Sequence, residues 1–327
     1  MLYILLSPLI LALAVLLLVF LLVYLLVWIL PGFGYCYERR TVRRHYQQCY
    51  PHGSEHSFVP LRAMQGKKVH VKQSLIQPYS ATAATPTVNV VVFPGAAVTI
   101  AATDFITRDV KHTLLDDGAS GQLTANIRLI QYEHVSYGYS DPVEKGEEVD
   151  LSGEAICRAT HELLCLILNP TDTTSTGTST HPPVIAWGQS YGGQLAQLYR
   201  YLYPDAVSAL LLIDPSPTTL FSEAAPTGST MNKAASIYST TAAIATTGFL
   251  RPIATLMQYS SGEVKEALAV MPKEYVGQFF SASHLRAMPA EFIGFKETCQ
   301  QLEEQYSRGR ESMAVPLRMV SAMRFSQ

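Results

Sequence analysis

The sequence has little charge, few cysteines and no excess of basic residues. Only 15% of its 327 residues are charged and 48% are hydrophobic, which excludes an intrinsically disordered chain. The formal net charge of −2 argues against a nucleic-acid-binding protein, because such a protein carries a clustered basic surface. The five cysteines form neither a CxxC pair nor a Cys/His spacing typical of zinc. We therefore expect free thiols and no metal.

Charge is absent altogether from a long apolar stretch near the N-terminus. Residues 9–30 contain no charged residue and no strong helix breaker. A helix of this length spans roughly 33 Å, enough to cross a hydrocarbon core of about 30 Å. A cleaved signal peptide fits less well, because its apolar region runs about 7–15 residues and follows a basic segment. The stretch predicts a transmembrane signal-anchor helix over residues 1–30.

The flanks of this stretch indicate its orientation. No basic residue precedes it, whereas four arginines follow it closely: Arg39, Arg40, Arg43 and Arg44. The positive-inside rule then predicts a single-pass membrane protein whose body faces the cytoplasm. Residues 31–57 have no hydrophobic period and are interpreted as a juxtamembrane linker.

The body of the chain shows alternating strand and helix patterns. Residues 58–73 contain two apolar stretches, one on each side of Gln65-Gly66, and this pattern is typical of a β-hairpin. The strongest signals that follow are four apolar strand runs and two amphipathic helices: strands at 88–93, 127–132, 184–187 and 209–213, and helices at 151–168 and from the turn after 187 to Tyr203. This alternation predicts an α/β fold with a mostly parallel sheet.

The pattern changes after the strand at 209–213. From Thr218 to Arg310 helical stretches replace strands, most clearly at 263–270 and 290–306. One more strand is expected at 315–320.

The turn after the strand at 184–187 carries the clearest chemical motif. Gly188-Gln189-Ser190-Tyr191-Gly192 fits G-x-S-x-G, the nucleophile elbow. In this motif a serine occupies a strained turn between a strand and a helix, and small neighbours let the backbones approach closely. The helix N-terminus favours the negative charge that develops there. The alternative is a glycine-rich turn that only packs a helix on a sheet.

The block from Val184 to Pro215 resembles the nucleophile-elbow region of the α/β-hydrolase fold (fold-1) superfamily. Tyr132 to Asp141 is similar to the segment at that family's fourth strand, with Glu133 in place of an aspartate. Phe93-Pro94-Gly95-Ala96 resembles the His-Gly turn after the third strand. The resemblance covers residues 58–327 and implies a helical cap insertion at about 218–312.

The resemblance also implies a set of site residues. Ser190 would be the nucleophile, with Gly188 and Gly192 as the elbow glycines. The backbone N–H groups of Ala96 and Tyr191 would form the oxyanion hole. A plain strand-end turn is the alternative for Ala96.

The acid and the base of the family's triad are harder to place. Its order is serine, acid, histidine, and the only histidine after Ser190 is His284, within the expected cap. His284 is interpreted as a surface or packing residue of the cap. Asp214 is the candidate acid, and a structural strand-end aspartate is the alternative. No carboxylate follows the strand at 315–320, so the resemblance leads us to expect that the C-terminal strands and the histidine loop are missing.

These patterns predict a membrane-anchored serine hydrolase that needs no cofactor. Its substrate would be a small or lipid-like molecule with an ester, amide or related acyl group. An acyltransferase on the same fold is a further option. The rival from another class is a catalytically incomplete protein of this fold, truncated or a pseudoenzyme, with a binding or scaffold role.

Overall fold

The computed structural model describes most of the chain from residue 55 onward and a helix near the N-terminus. The described residues are 2–25, 55–78, 81–82, 84–104, 107, 110, 112–113, 116, 124–144, 146–169, 181–221, 227–245, 278, 281–307 and 317–320. Most of the predicted linker 31–57 and the helix predicted at 263–270 lie outside the described residues.

The strands of the described residues form one mixed seven-stranded sheet. Their bounds are His56–Leu61 (β1), Lys67–Ile76 (β2), Thr87–Phe93 (β3), Asn126–Tyr132 (β4), Val184–Ser190 (β5), Val207–Pro215 (β6) and Leu317–Val320 (β7). They lie in the order β1-β2-β4-β3-β5-β6-β7. The pairs β1·β2 and β2·β4 are antiparallel, and the other four neighbouring pairs are parallel. The mostly parallel α/β sheet predicted from the sequence is confirmed.

The described residues include five α-helices of twelve residues or more. Their bounds are Leu2–Tyr24 (α1), Gly153–Leu168 (α2), Tyr191–Leu202 (α3), Thr227–Ala245 (α4) and Ala282–Ser307 (α5). The helix predicted at 151–168 is confirmed, and the Ser152 side chain caps it by accepting the Ala155 N–H at 3.3 Å. The hairpin around Gln65 is also confirmed, with φ of 56° at that residue.

The end of strand β5 differs from the prediction. The strand expected to end at Trp187 continues as β5 to Ser190, and Ser190 still pairs with Pro215 of β6. Glycine and serine in the motif masked this extension, because neither residue type favours strands.

Helix α1 overlaps the predicted anchor. Side chains within it are described from residue 12 to residue 23, and those are exposed. A search of the described residues finds no helix with the length and apolarity of a membrane span. The transmembrane helix over residues 1–30 stays a prediction.

Helices α2 and α3 pack on the sheet and enclose the main core. Helix α5 joins this core through Phe295 and Cys299, which are both buried. The same helix contributes Leu285 and Met288 to a second cluster that includes Tyr137. Helix α5 therefore contacts both the main core and the loops at the carboxyl ends of the strands.

Glu133 ties several of these loops together from the end of β4. This fully buried carboxylate accepts the N–H groups of Ile100, at 3.0 Å, and Tyr139, at 2.7 Å, and lies 2.8 Å from His70 Nδ1. A buried carboxylate is tolerated only when such donors replace its water.

We expect Glu133→Ala to lower the free energy of unfolding by about 3 kcal/mol or more, because it leaves buried donors without acceptors. Glu147→Ala is the control. It removes an exposed ion pair with Lys67 and should cost about 1 kcal/mol or less. Denaturant unfolding, followed by the fluorescence of the buried Trp187, measures both variants. Similar losses in the two variants would contradict the bracing role of Glu133.

Candidate functional site

Strand β5 passes directly into helix α3 at Ser190, which has a strained backbone. Its φ is 51° and its ψ is −124°, outside the regions that a non-glycine residue normally occupies. Such a conformation costs about 1–3 kcal/mol and persists only where the surrounding structure enforces it. The predicted sharp turn is therefore present at Ser190.

The two predicted elbow glycines lie where no side chain fits. A Cβ atom on Gly192 would lie 2.0 Å from the carbonyl oxygen of Phe93, and one on Gly188 would lie 2.4 Å from the carbonyl oxygen of Gly192. The backbone of α3 thus touches the end of β3. This contact holds the elbow in its strained form.

The turn after β3 lies beside the elbow. A Cβ atom on Gly95 would be 3.5 Å from Ser190 Cβ, so the turn that contains Ala96 lies beside the serine. Tyr191 is the first residue of α3, and N–H groups in a first helical turn have no acceptor within the helix. The structure therefore places the turn after β3 beside Ser190 and Tyr191, and the oxyanion-hole role of Ala96 and Tyr191 stays a prediction.

The Ser190 hydroxyl has a neighbour that the sequence did not indicate. Ser216, just after β6, places its Oγ 3.3 Å from Ser190 Oγ, and its N–H donates to the Ser190 carbonyl at 3.1 Å. The Gln194 side chain donates to the Ser216 carbonyl. The Gln194 side chain, on α3, thus holds Ser216 beside the Ser190 hydroxyl.

Asp214, the candidate acid, is exposed at the end of β6. Its φ of 45° lies in the left-handed region that aspartate tolerates better than most residues. Among the described residues, no hydrogen bond joins Asp214 or any histidine to Ser190. Asp214 directly precedes Pro215, the strand partner of Ser190, so the two residues lie on neighbouring strand ends without a hydrogen bond between them, and the role of Asp214 stays a prediction.

A buried polar cluster lies on the other side of the turn after β3, centred on Glu291 of α5. The Glu291 carboxylate accepts the Ala97 N–H at 2.8 Å and the Tyr137 hydroxyl at 2.6 Å, and lies 2.8 Å from His134 Nδ1. Within the described part of the chain, His134 Nε2 is buried without a hydrogen-bond partner. We call Ala97, His134, Tyr137, His284 and Glu291 the Glu291 cluster.

His284 is a packing residue of this cluster, in line with one of the two roles expected for it. Its ring lies 4.4 Å from the Tyr137 ring. Burial lowers the pKa of His284 to about 3, although the backbone of Ala97 raises it. The imidazole is therefore neutral at physiological pH. Burial also raises the pKa of the Tyr191 phenol.

Sequence reasoning missed Glu291, although a signal was present. The residue falls on the apolar face of the helix predicted at 290–306, together with Phe295, Cys299 and Leu302. A charge on a buried helix face requires donors from elsewhere in the fold. Across the described residues, no group of three or more His, Cys, Asp or Glu side chains is arranged to hold a metal ion.

Comparisons with known proteins agree with this geometry. A family model described as serine carboxypeptidase S28 matches residues 121–262, which include the elbow. No curated protein sequence matches the chain.

Solved structures show the same fold. A protein from Nostoc sp PCC 7120 assigned to the α/β hydrolases has a TM-score of 0.52 and 12% identity, covering 82% of this chain and 80% of its own. The Cif epoxide hydrolase from Acinetobacter nosocomialis has a TM-score of 0.50 and 13% identity, covering 89% of this chain and 80% of its own.

The sheet, the elbow and these comparisons show that the chain has the α/β-hydrolase fold. The S28 model spans less than half of the chain, so it gives a similarity to that peptidase family.

Backbone strain at Ser190 has a measurable consequence. We expect Ser190→Gly to be more stable than Ser190→Ala by about 1 kcal/mol, because glycine adopts a positive φ without a steric penalty. Both variants lose the hydroxyl, so their difference reports on the backbone alone. Urea unfolding midpoints provide the measurement. If the alanine variant is as stable as the glycine variant, the elbow is not strained.

Proposed function

We propose that this protein is a membrane-anchored serine hydrolase in which Ser190 attacks the carbonyl carbon of an ester, an amide or a related acyl substrate. The observation that carries the proposal is the conformation of Ser190, with a φ of 51° between β5 and α3. Strain of this kind is retained at sites where the position of a side chain matters for function.

The reaction follows from the arrangement around the elbow. Ser190 Oγ forms a bond to the carbonyl carbon, and its proton leaves toward a base. Ser216 Oγ, 3.3 Å from Ser190 Oγ, can accept a hydrogen bond from the Ser190 hydroxyl. The negative charge on the carbonyl oxygen is met by the N–H groups of Ala96 and Tyr191. The leaving group departs with a proton, and water then hydrolyses the acyl-enzyme.

The family comparison supports one class of substrate. The serine carboxypeptidase model covers the strand before the elbow, the elbow and β6. This similarity favours a peptide-like amide as the first acyl group to examine. The fold by itself does not select a substrate.

A catalytically incomplete protein with a binding or scaffold role is the second candidate. The contacts of Ser190 Oγ favour this candidate. The atom faces the hydroxyl of Ser216, and within the described residues no histidine forms a hydrogen bond with it. A serine without a base is a weak nucleophile at neutral pH. Chemical labelling of Ser190 separates the two candidates.

We expect a fluorophosphonate probe to label the full-length protein and to stop labelling it in Ser190→Ala, because the probe reacts with activated serines. Ser208→Ala is the matched control, since the Ser208 hydroxyl donates to the Val184 carbonyl away from the elbow. Probe incorporation on a gel, with the modified peptide identified by mass spectrometry, is the readout. Absence of labelling across pH 5 to 9 in detergent and in membranes would overturn the hydrolase and favour the second candidate.

The membrane anchor is a separate part of the proposal. Large apolar side chains of α1, such as Leu16, Leu17 and Phe20, are more than 60% exposed. An apolar helix surface of this size is stable when lipid covers it. The arginines after residue 38 favour a body on the cytoplasmic side.

We expect the full chain to stay in the membrane pellet after alkaline carbonate extraction and a variant lacking residues 1–30 to be released. Carbonate removes proteins that are held on the membrane by charge alone, whereas a spanning helix is retained. Immunoblots of pellet and supernatant measure the distribution. The anchor is refuted if the full chain is released as readily as the shortened variant.

A further inference from the structure

Glu291 joins helix α5 to the turn that follows β3. Its side chain is 1% exposed, so protein donors have replaced its water entirely. Oε2 accepts the Ala97 N–H at 2.8 Å and the Tyr137 hydroxyl at 2.6 Å, and Oε1 faces His134 Nδ1 at 2.8 Å. Three donors from two loops therefore meet on one carboxylate.

The bond to Ala97 fixes a backbone conformation that the residue does not favour. Ala97 has a φ of 60°, in the left-handed region. Ala96 precedes it directly, so the direction of the Ala96 N–H depends on how Ala97 is held. The Glu291 carboxylate on α5 accepts the Ala97 N–H and so holds Ala97 in this conformation.

The same face of α5 also contacts the second candidate donor of the oxyanion hole. Phe295 lies one helical turn after Glu291, and its ring is 4.4 Å from the ring of Tyr191. Thr298 Oγ1 is 3.4 Å from the Tyr191 hydroxyl. One helix face thus contacts both segments that contain the proposed oxyanion-hole donors.

We propose that Glu291 is a positioning residue of the oxyanion hole, which holds the turn at Ala96 and Ala97 in register with Tyr191. The inference rests on the proposed function, since it assigns the means by which the donors at Ser190 are arranged. Glu291 acts through Ala97 and does not touch the reacting atoms.

Two substitutions at this position separate positioning from simple burial of a charge. Glu291→Leu removes every acceptor and leaves the Ala97 N–H unpaired. Glu291→Gln keeps one amide oxygen, which can accept from Ala97 and Tyr137 as Oε2 does. Its NH₂ group then faces His134 Nδ1, and this is tolerated because the imidazole can carry its proton on the buried Nε2 instead.

The test uses the full chain in detergent and measures the rate constant of fluorophosphonate labelling at Ser190. We expect Glu291→Leu to slow labelling about ten- to a hundredfold, since loss of a whole oxyanion-hole donor costs about 10²–10³. Glu291→Gln should restore the rate to within a few-fold of the unaltered protein. Hydrogen exchange at the Ala97 amide should accelerate in the leucine variant and not in the glutamine variant.

Glu162→Leu is the matched control. Glu162 accepts the N–H groups of Arg62 and Ala63, each at 2.8 Å, in the turn between β1 and β2. Its loss also removes a carboxylate that binds backbone donors, and labelling should stay at the rate of the unaltered protein.

Two results count against the inference, and they are distinguishable. If Glu291→Leu speeds exchange at Ala97 but labels at the unaltered rate, the positioning role is wrong and the hydrolase stands. If the unaltered protein shows no labelling that depends on Ser190, the proposed function fails and the positioning role fails with it.

Discussion

The contact between the backbones of α3 and β3 is the constraint on which the rest of the site depends. Gly192 lies so close to the Phe93 carbonyl that a Cβ atom would overlap it. This approach sets how α3 leaves β5 and forces Ser190 to a positive φ. It also brings Gly95 to the side of the serine. The strain at the nucleophile and its nearness to the turn after β3 therefore have one cause.

Two buried carboxylates brace the segment that follows β3. Glu133 accepts the Ile100 N–H from the end of β4, and Glu291 accepts the Ala97 N–H from α5. A buried carboxylate is costly unless every lone pair finds a donor, so each fixes the backbone around it. The position of α5 and the shape of the turn after β3 are consequently linked.

The features that the sequence predicted are those with local signals. The run ending at Phe93 and the motif around Ser190 carry their periodicity or spacing within a few residues, and both are present in the structure. The contact of Ser216 with Ser190 and that of Glu291 with Ala97 join residues far apart in the chain. No short pattern encodes such pairs, because tertiary packing decides them. The anchor at residues 1–30 remains a prediction for lack of a finding that tests it.

The chemistry of this protein depends on its elbow residue more than on its fold. The structures that share the fold include an epoxide hydrolase, and the matching family model is that of a carboxypeptidase. A serine at the elbow, with Ala96 and Tyr191 as the proposed N–H donors, suits attack on a carbonyl carbon. In serine proteases, loss of triad residues still leaves an acceleration of about 10³–10⁴ from the oxyanion hole and binding. In the proposed hydrolase, the elbow and the turn after β3 would supply a share of catalysis that does not depend on which group takes the serine proton.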